Sequence, residues 1–123
     1  MPTVLVVEDE LLIALDLAAS IEELGCEIVG VARTGAEARR VAETARPDLV
    51  LMDVTIAGDC DGVEAARAIR AIAPAKLIFL TALTDQDTRC RAAAMQPEAF
   101  LTKPCPNGEL RRAVASALGM NTH

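Results

Sequence analysis

The feature that most narrows what this chain can fold into is a regular alternation of two periodicities. Short apolar runs occur at 3–7 (TVLVV), 27–32 (EIVGVA), 48–52 (DLVLM), 76–80 (KLIFL) and 98–101 (EAFL). Each is too short for a helix of its own, and the first two are rich in β-branched residues, which reads as strands. The stretches between them carry apolar residues at helical spacing. The first spans 11–24, with Ile13, Leu17, Ile21 and Leu24 on one face and Gly25 ending it. Thr34 and Glu37 are spaced as a capping box for the second, which is expected to bury Ala38, Val41, Ala42 and Ala45 before Pro47. Asp61 and Glu64 open the third, which presents Val63, Ala66 and Ile69 and stops at Pro74. The fourth begins near Thr84 and stops before Pro97. The fifth runs from Asn107 to Gly119 and buries Leu110, Val114 and Ala117.

Five strands each followed by a helix make an α/β domain with a parallel sheet, because every crossover helix returns the chain in the same direction. The strands hold few polar residues, as a sheet covered on both faces requires. A chain of 123 residues is enough for one domain, 1–123, that buries roughly two-thirds of its unfolded surface. Its hydrophobic content of 52% raises the question of a membrane, but no apolar run approaches the ~20 residues of a span. The start, MPTVLVVEDE, has no basic segment ahead of its apolar stretch and so does not read as a signal peptide. A cytoplasmic protein with no membrane partner is the expectation.

A net charge of −6 argues against direct contact with nucleic acid, which needs clustered Lys and Arg. The basic groups Arg39–Arg40, Arg89 with Arg91, and Arg111–Arg112 read as solvated helix faces, with a partner-protein surface as the alternative. Cys26, Cys60, Cys90 and Cys105 show no CxxC spacing and the one histidine is His123, so a zinc site is not expected. Free thiols in a reducing compartment are the default. The sequence assigns no role to Cys60 or Cys105.

Ligands of such sheets bind beyond the carboxyl ends of the strands, and reading those ends in turn gives a specific set. The first strand runs into Glu8, Asp9 and Glu10, the third into Asp53, the fourth into Thr81 and the fifth into Lys103-Pro104. The second ends in Ala32-Arg33 and is expected to lie away from the site. Acids converging on one edge repel: two unit charges ~4 Å apart near a surface interact by about 4 kcal/mol. A hard divalent cation with oxygen ligands offsets this, and Mg²⁺ typically uses one or two carboxylates together with phosphate oxygens. Glu8, Asp9 and Asp53 against Mg²⁺ and Lys103 balance in formal charge. That balance suits a carboxylate nucleophile towards phosphorus, with Lys103 and the Thr81 hydroxyl taking the remaining charge. Asp53, ending the central strand, is the natural nucleophile. Each residue alone has a plainer reading as a cap, a turn or a solvated loop residue; their joint placement carries the argument.

On these residues the chain resembles the receiver domain of bacterial two-component response regulators (CheY-like), over essentially its whole length. VLVVEDE is similar to the family's acidic start, LVLMDV to its phosphoacceptor strand, IFLTA to its switch-hydroxyl strand and FLTKP to its lysine-proline signature. The resemblance implies a doubly wound, flavodoxin-like (βα)5 sheet with strand order 2-1-3-4-5. It implies that Asp53 accepts phosphoryl from a sensor histidine kinase or a histidine phosphotransfer protein. Asp9 would then bind Mg²⁺ directly and Glu8 chiefly through water, with Asp53 and the backbone carbonyl of Thr55 completing the site. Thr81 and Phe100 take the switch positions, Lys103 pairs with the phosphoryl group, and Lys103-Pro104 is expected to be cis.

The loop VTIAGDCDG lacks the family's common proline and is one residue longer than usual, and Cys105 stands where a phenylalanine commonly follows the lysine-proline pair. Thr55 and Leu83, two residues past Asp53 and Thr81, border the route of an attacking water and are expected to tune the lifetime of the phosphoryl group. The resemblance further implies a downstream protein target on the face of the fourth helix, fifth strand and fifth helix, with Arg89, Arg91, Glu109, Arg111 and Arg112, and a monomer or weak dimer. Such a domain assists its own phosphorylation and dephosphorylation and is not a turnover enzyme. Two other readings stand beside it. One is a receiver-like interaction module that takes up no phosphate. The other is a metal-dependent phosphatase, which the Val54-Thr55 pair after Asp53 and the lack of room for a cap disfavour. Whether the receiver stands alone or belongs to a longer regulator is open.

Overall fold

A computed structural model describes residues 1–56, 58, 61–82 and 86–120. Its elements follow the alternation: β1 (Thr3–Val7), α1 (Leu11–Glu22), β2 (Glu27–Ala32), α2 (Gly35–Ala45), β3 (Leu49–Asp53), α3 (Gly62–Ile72), β4 (Lys76–Thr81), α4 (Gln86–Ala94), β5 (Ala99–Thr102) and α5 (Asn107–Ala117). The strands form one parallel sheet in the order β2-β1-β3-β4-β5, the order expected.

Side chains alternate between the two faces of a strand, and the core divides accordingly. Val4, Val6, Leu49, Leu51, Ile78 and Leu80 pack with Ala14, Leu17 and Ile21 of α1 and Leu110, Val114 and Ala117 of α5. Leu5, Val7, Val50, Met52, Leu77 and Phe79 pack on the other face with Ala38 and Ala42 of α2, Val63, Ala66 and Ile69 of α3, and Ala92 of α4. Central β3 is buried at every position, whereas edge strand β2 is largely half-exposed. The β2 pattern is the physical mark of an edge.

Local chemistry sets where the helices begin. The Asp61 side chain accepts from Glu64 N while the Glu64 side chain accepts from Asp61 N, a complete capping box. Thr34 caps α2 by accepting from Glu37 N at 3.1 Å. Several boundaries differ from the sequence reading. The first helix ends at Glu22 because Leu24 and Gly25 form a turn, with amides on the Ile21 and Glu22 carbonyls. Strands β3, β4 and β5 each reach one residue further, to Asp53, Thr81 and Thr102. Ala45 is exposed rather than buried, since α2 presents Ala38 and Ala42 to the sheet and ends at Arg46 in a left-handed cap. The described part of the fourth helix starts at Gln86. Thr84, Leu83, Cys60 and His123 lie outside the described residues. Among the described residues no helix is long and apolar enough to cross a membrane.

Candidate functional site

Backbone register alone brings the strand ends together. Val7 is paired with Met52, so the next residues, Glu8 and Asp53, lie side by side. Asp53 is paired with Leu80, which sets Thr81 one step beyond it on the neighbouring strand. Thr81 is paired with Thr102, so Lys103 follows one step further. Backbone hydrogen bonds continue past the strands, from Glu8 N to the Ala32 carbonyl at 2.9 Å and from Lys103 N to the Thr81 carbonyl at 3.0 Å. Four strands thus deliver Glu8, Asp53, Thr81 and Lys103 to one edge.

The polar groups there are deeply placed. Glu8 is 1% exposed, Asp53 5% and Thr81 0%. One carboxylate oxygen from each of Glu8, Asp9 and Asp53 lies within 4.8 Å of the others. The Lys103 ammonium bridges two of them, bonding Glu8 Oε1 and sitting 2.8 Å from Asp53 Oδ2. Asp53 Oδ1 accepts from Thr55 N at 3.0 Å, and Glu8 Oε2 from Glu10 N at 3.3 Å. The two buried carboxylates, Glu8 and Asp53, are therefore held by donors, as burial demands. Burial alone would lower the Lys103 ammonium pKa; its hydrogen bonds to Asp53 and Glu8 outweigh that and raise it above the ordinary lysine value. Lys103 is charged at neutral pH and neutralises one of three acids. The excess of negative charge and a donor set made wholly of carboxylate oxygens fit a hard divalent cation such as Mg²⁺.

The remaining expected residues fall around this centre. Thr55 is exposed just beyond Asp53. Lys103-Pro104 is cis. Phe100 is half-buried, its ring 6.2 Å from Phe79 and covered by the Arg89 guanidinium at 5.1 Å. Arg89 and Phe100 belong to a groove of about 690 Å³ whose lining includes Cys90, Ala93 and Pro97. Arg91 corrects the reading of this face, because it turns away to α3 and pairs with Asp61 at 2.8 Å. Arg111 reaches Glu23 at 3.4 Å, while Glu109 and Arg112 are exposed. Cys105 is half-buried, and burial followed by nearby Glu109 raises its thiol pKa.

Two contacts are absent from the sequence reading. Arg33 Nε donates to the Asp9 carbonyl at 3.3 Å, so the second strand's end does touch the acidic turn. Gly62 N donates to the Val54 carbonyl at 2.7 Å, and a Cβ on Gly62 would stand 2.2 Å from the Asp53 carbonyl oxygen. An Asp-Gly pair opening a helix was the available signal for the second. No sequence signal exists for the first.

Fold and site together define a doubly wound α/β domain of the flavodoxin-like type, with an acidic pocket at the carboxyl edge of its sheet. Residues 4–115 match the model of the response regulator receiver domain, and the chain belongs to that family. It is 42% identical over 115 residues to the transcriptional regulatory protein PdtaR of Mycobacterium tuberculosis, covering 94% of this chain and 56% of that protein. It is 34% identical over 116 residues to the phyllosphere-induced regulator PhyR of Methylorubrum extorquens, covering 94% and 43%. The chain thus spans about half the length of these curated relatives. Among solved structures, the signal receiver domain of a modulated diguanylate cyclase from Desulfovibrio desulfuricans G20 superposes with a TM-score of 0.90 at 38% identity, covering 97% of this chain and 94% of that one. Receiver domains of two-component systems are signalling domains rather than turnover enzymes, and the acidic pocket is suited to Mg²⁺.

Proposed function

We propose that Asp53 is a phosphoacceptor and that the domain switches a protein-binding face when Asp53 is phosphorylated. The observation that carries this is the pairing of a nearly buried strand-end carboxylate with two further acids within 4.8 Å and a lysine ammonium at 2.8 Å. An Asp53 oxygen attacks the phosphorus of a phosphohistidine on a sensor kinase or phosphotransfer protein. The O–P bond forms as the P–N bond breaks, and its electron pair returns to an imidazole whose other nitrogen carries the proton, so neutral histidine leaves. Glu8, Asp9, Asp53 and the Thr55 carbonyl would hold Mg²⁺, which supplies charge neutralisation for the transferring group when bound. Lys103 and the Thr81 hydroxyl donate to phosphoryl oxygens.

The new contact of Thr81 biases the resting and switched states, because it exists only with phosphoryl present. Phe100 then moves, and the α4–β5–α5 face changes for a downstream protein. We place the domain in the cytoplasm as a monomer or weak dimer without direct nucleic-acid contact. Intact mass after incubation with Mg²⁺ and a small-molecule phosphodonor tests the reading. One phosphoryl group is expected on the wild type, and none on Asp53→Asn or without metal. No gain under conditions that label a control receiver would leave Asp53 a structural acid and the domain a phosphate-independent binding module.

A further inference from the structure

Helix α4 is thinly anchored by apolar contact: of its nine residues only Ala92 is buried. By comparison α3 buries Gly62, Val63, Ala65, Ala66 and Ile69. Side-chain ties run from α3 to α4 and to the residue just past it. Arg70 of α3 donates to the Met95 carbonyl just past the end of α4. Arg91 of α4 makes a two-pronged contact with Asp61, Nη1 to Oδ2 at 2.8 Å and Nη2 to Oδ1 at 3.3 Å. Such a fork fixes geometry as well as charge.

The two ends of that pair differ in rigidity. Asp61 caps α3, and the next residue, Gly62, is held against the Val54 carbonyl with no room for a side chain beside Asp53. The Asp61 carboxylate is therefore fixed relative to the end of the acceptor strand. Arg91 sits on the loosely cored helix that follows β4 and Thr81. The pair joins the N-cap of α3, the helix after β3, to α4, the helix after β4.

We propose that Arg91 and Asp61 form an electrostatic latch that holds α4 in its resting position against α3, and that this latch, while closed, opposes the switching of the α4 face. The second part rests on the phosphoacceptor reading. Burial alone would raise the Asp61 carboxyl pKa; the Arg91 hydrogen bond and the Glu64 amide outweigh it and hold it below the ordinary value. Both members of the pair are thus charged at neutral pH. Glu64 and Asp87 also face Arg91 and support its charge.

Native-state hydrogen exchange of the α4 amides, without phosphodonor, tests the latch in the wild type, Arg91→Gln, Asp61→Asn and the double variant. Asparagine caps a helix as well as aspartate, so Asp61→Asn removes the charge and keeps α3 capped. Each single variant is expected to exchange about two- to fivefold faster through α4, as loss of a half-exposed pair implies. The double variant is expected to be no faster than either single one, since both remove the same contact. High salt should bring the wild type towards the variants. Unchanged α4 exchange in Arg91→Gln would overturn the latch.

Labelling rates at fixed Mg²⁺ and phosphodonor test the coupling. A destabilised resting state raises the population of the state that phosphoryl favours, so labelling about two- to fivefold faster than wild type is expected. Looser α4 with wild-type labelling would overturn the coupling. Absence of labelling in the wild type too would sink the acceptor reading and the coupling with it, while the exchange data would still decide on the latch.

Discussion

Gly62 opens α3 beside the backbone that carries Asp53, and its φ is not the reason it must be glycine. The constraint is distance: a Cβ there would meet the Asp53 carbonyl oxygen at 2.2 Å and Val54 Cα at 2.7 Å, both backbone atoms that no side-chain rotation can move aside. Gly62→Ala must therefore push α3 away from the end of β3, breaking the 2.7 Å bond from Gly62 N to the Val54 carbonyl. Overpacking of this kind costs typically 1–3 kcal/mol, and the upper half of that range is expected from urea denaturation followed by circular dichroism. The chain has no Trp or Tyr to report by fluorescence. A loss below about 0.5 kcal/mol, the size of an indifferent surface change, would mean that the segment after Asp53 yields freely, and the rigid end of the Arg91–Asp61 latch would go with it. By contrast, Gly30 is confronted by Val41 methyls, which are side-chain atoms on the edge-strand side and able to give.

At the scale of elements, the helices differ in what starts them, and this decides which were legible. Thr34 and Asp61 each accept from the amide three residues on, so α2 and α3 announce themselves by residue type and spacing. Thr34→Ala should cost about 1 kcal/mol, and Thr34→Asn should restore most of it, since asparagine caps at least as well as threonine; equal stability of all three by urea midpoint would show that the cap is idle. Helix α4 carries no comparable apolar stripe, and its ties to α3 include Arg91 and Arg70, whose partners Asp61 and Met95 lie 30 and 25 residues away in sequence. Contacts at that separation depend on which helices become neighbours, so spacing within a helix cannot reveal them. The strand ends were legible for the opposite reason. Glu8, Asp53, Thr81 and Lys103 each follow an apolar run, and parallel register then aligns them without further instruction. Ala45 shows the limit of periodicity, because its place on the apolar stripe is one turn past where α2 still faces the sheet.

For the whole molecule, the doubly wound sheet gathers buried acid at one edge of a chain whose net charge is already −6. Lys103 answers part of that charge, which sets up a competition in the metal-free protein. Asp53→Asn removes one of three mutually repelling acids, which stabilises, and also removes an ion pair with Lys103, which destabilises. The two effects oppose, so the metal-free variant should melt close to the wild type. Metal responses should separate them. A ligand that binds only the folded state at ten times its Kd stabilises by about 1.4 kcal/mol, which for a domain of this size is a rise in Tm of roughly 5 °C. The wild type should show that rise with Mg²⁺ and lose it on chelation. Asp53→Asn and Asp9→Asn should show little of it at the same concentration, and NaCl of equal ionic strength should not reproduce it. An equal rise in both variants would mean that Mg²⁺ acts by screening the net charge of the whole surface rather than at the edge where the three acids meet. The pattern of near-equal metal-free stability and unequal metal response would locate the purpose of the buried acids outside folding. Their mutual repulsion is tolerated because Lys103 limits it, and a bound divalent cation would complete the charge balance.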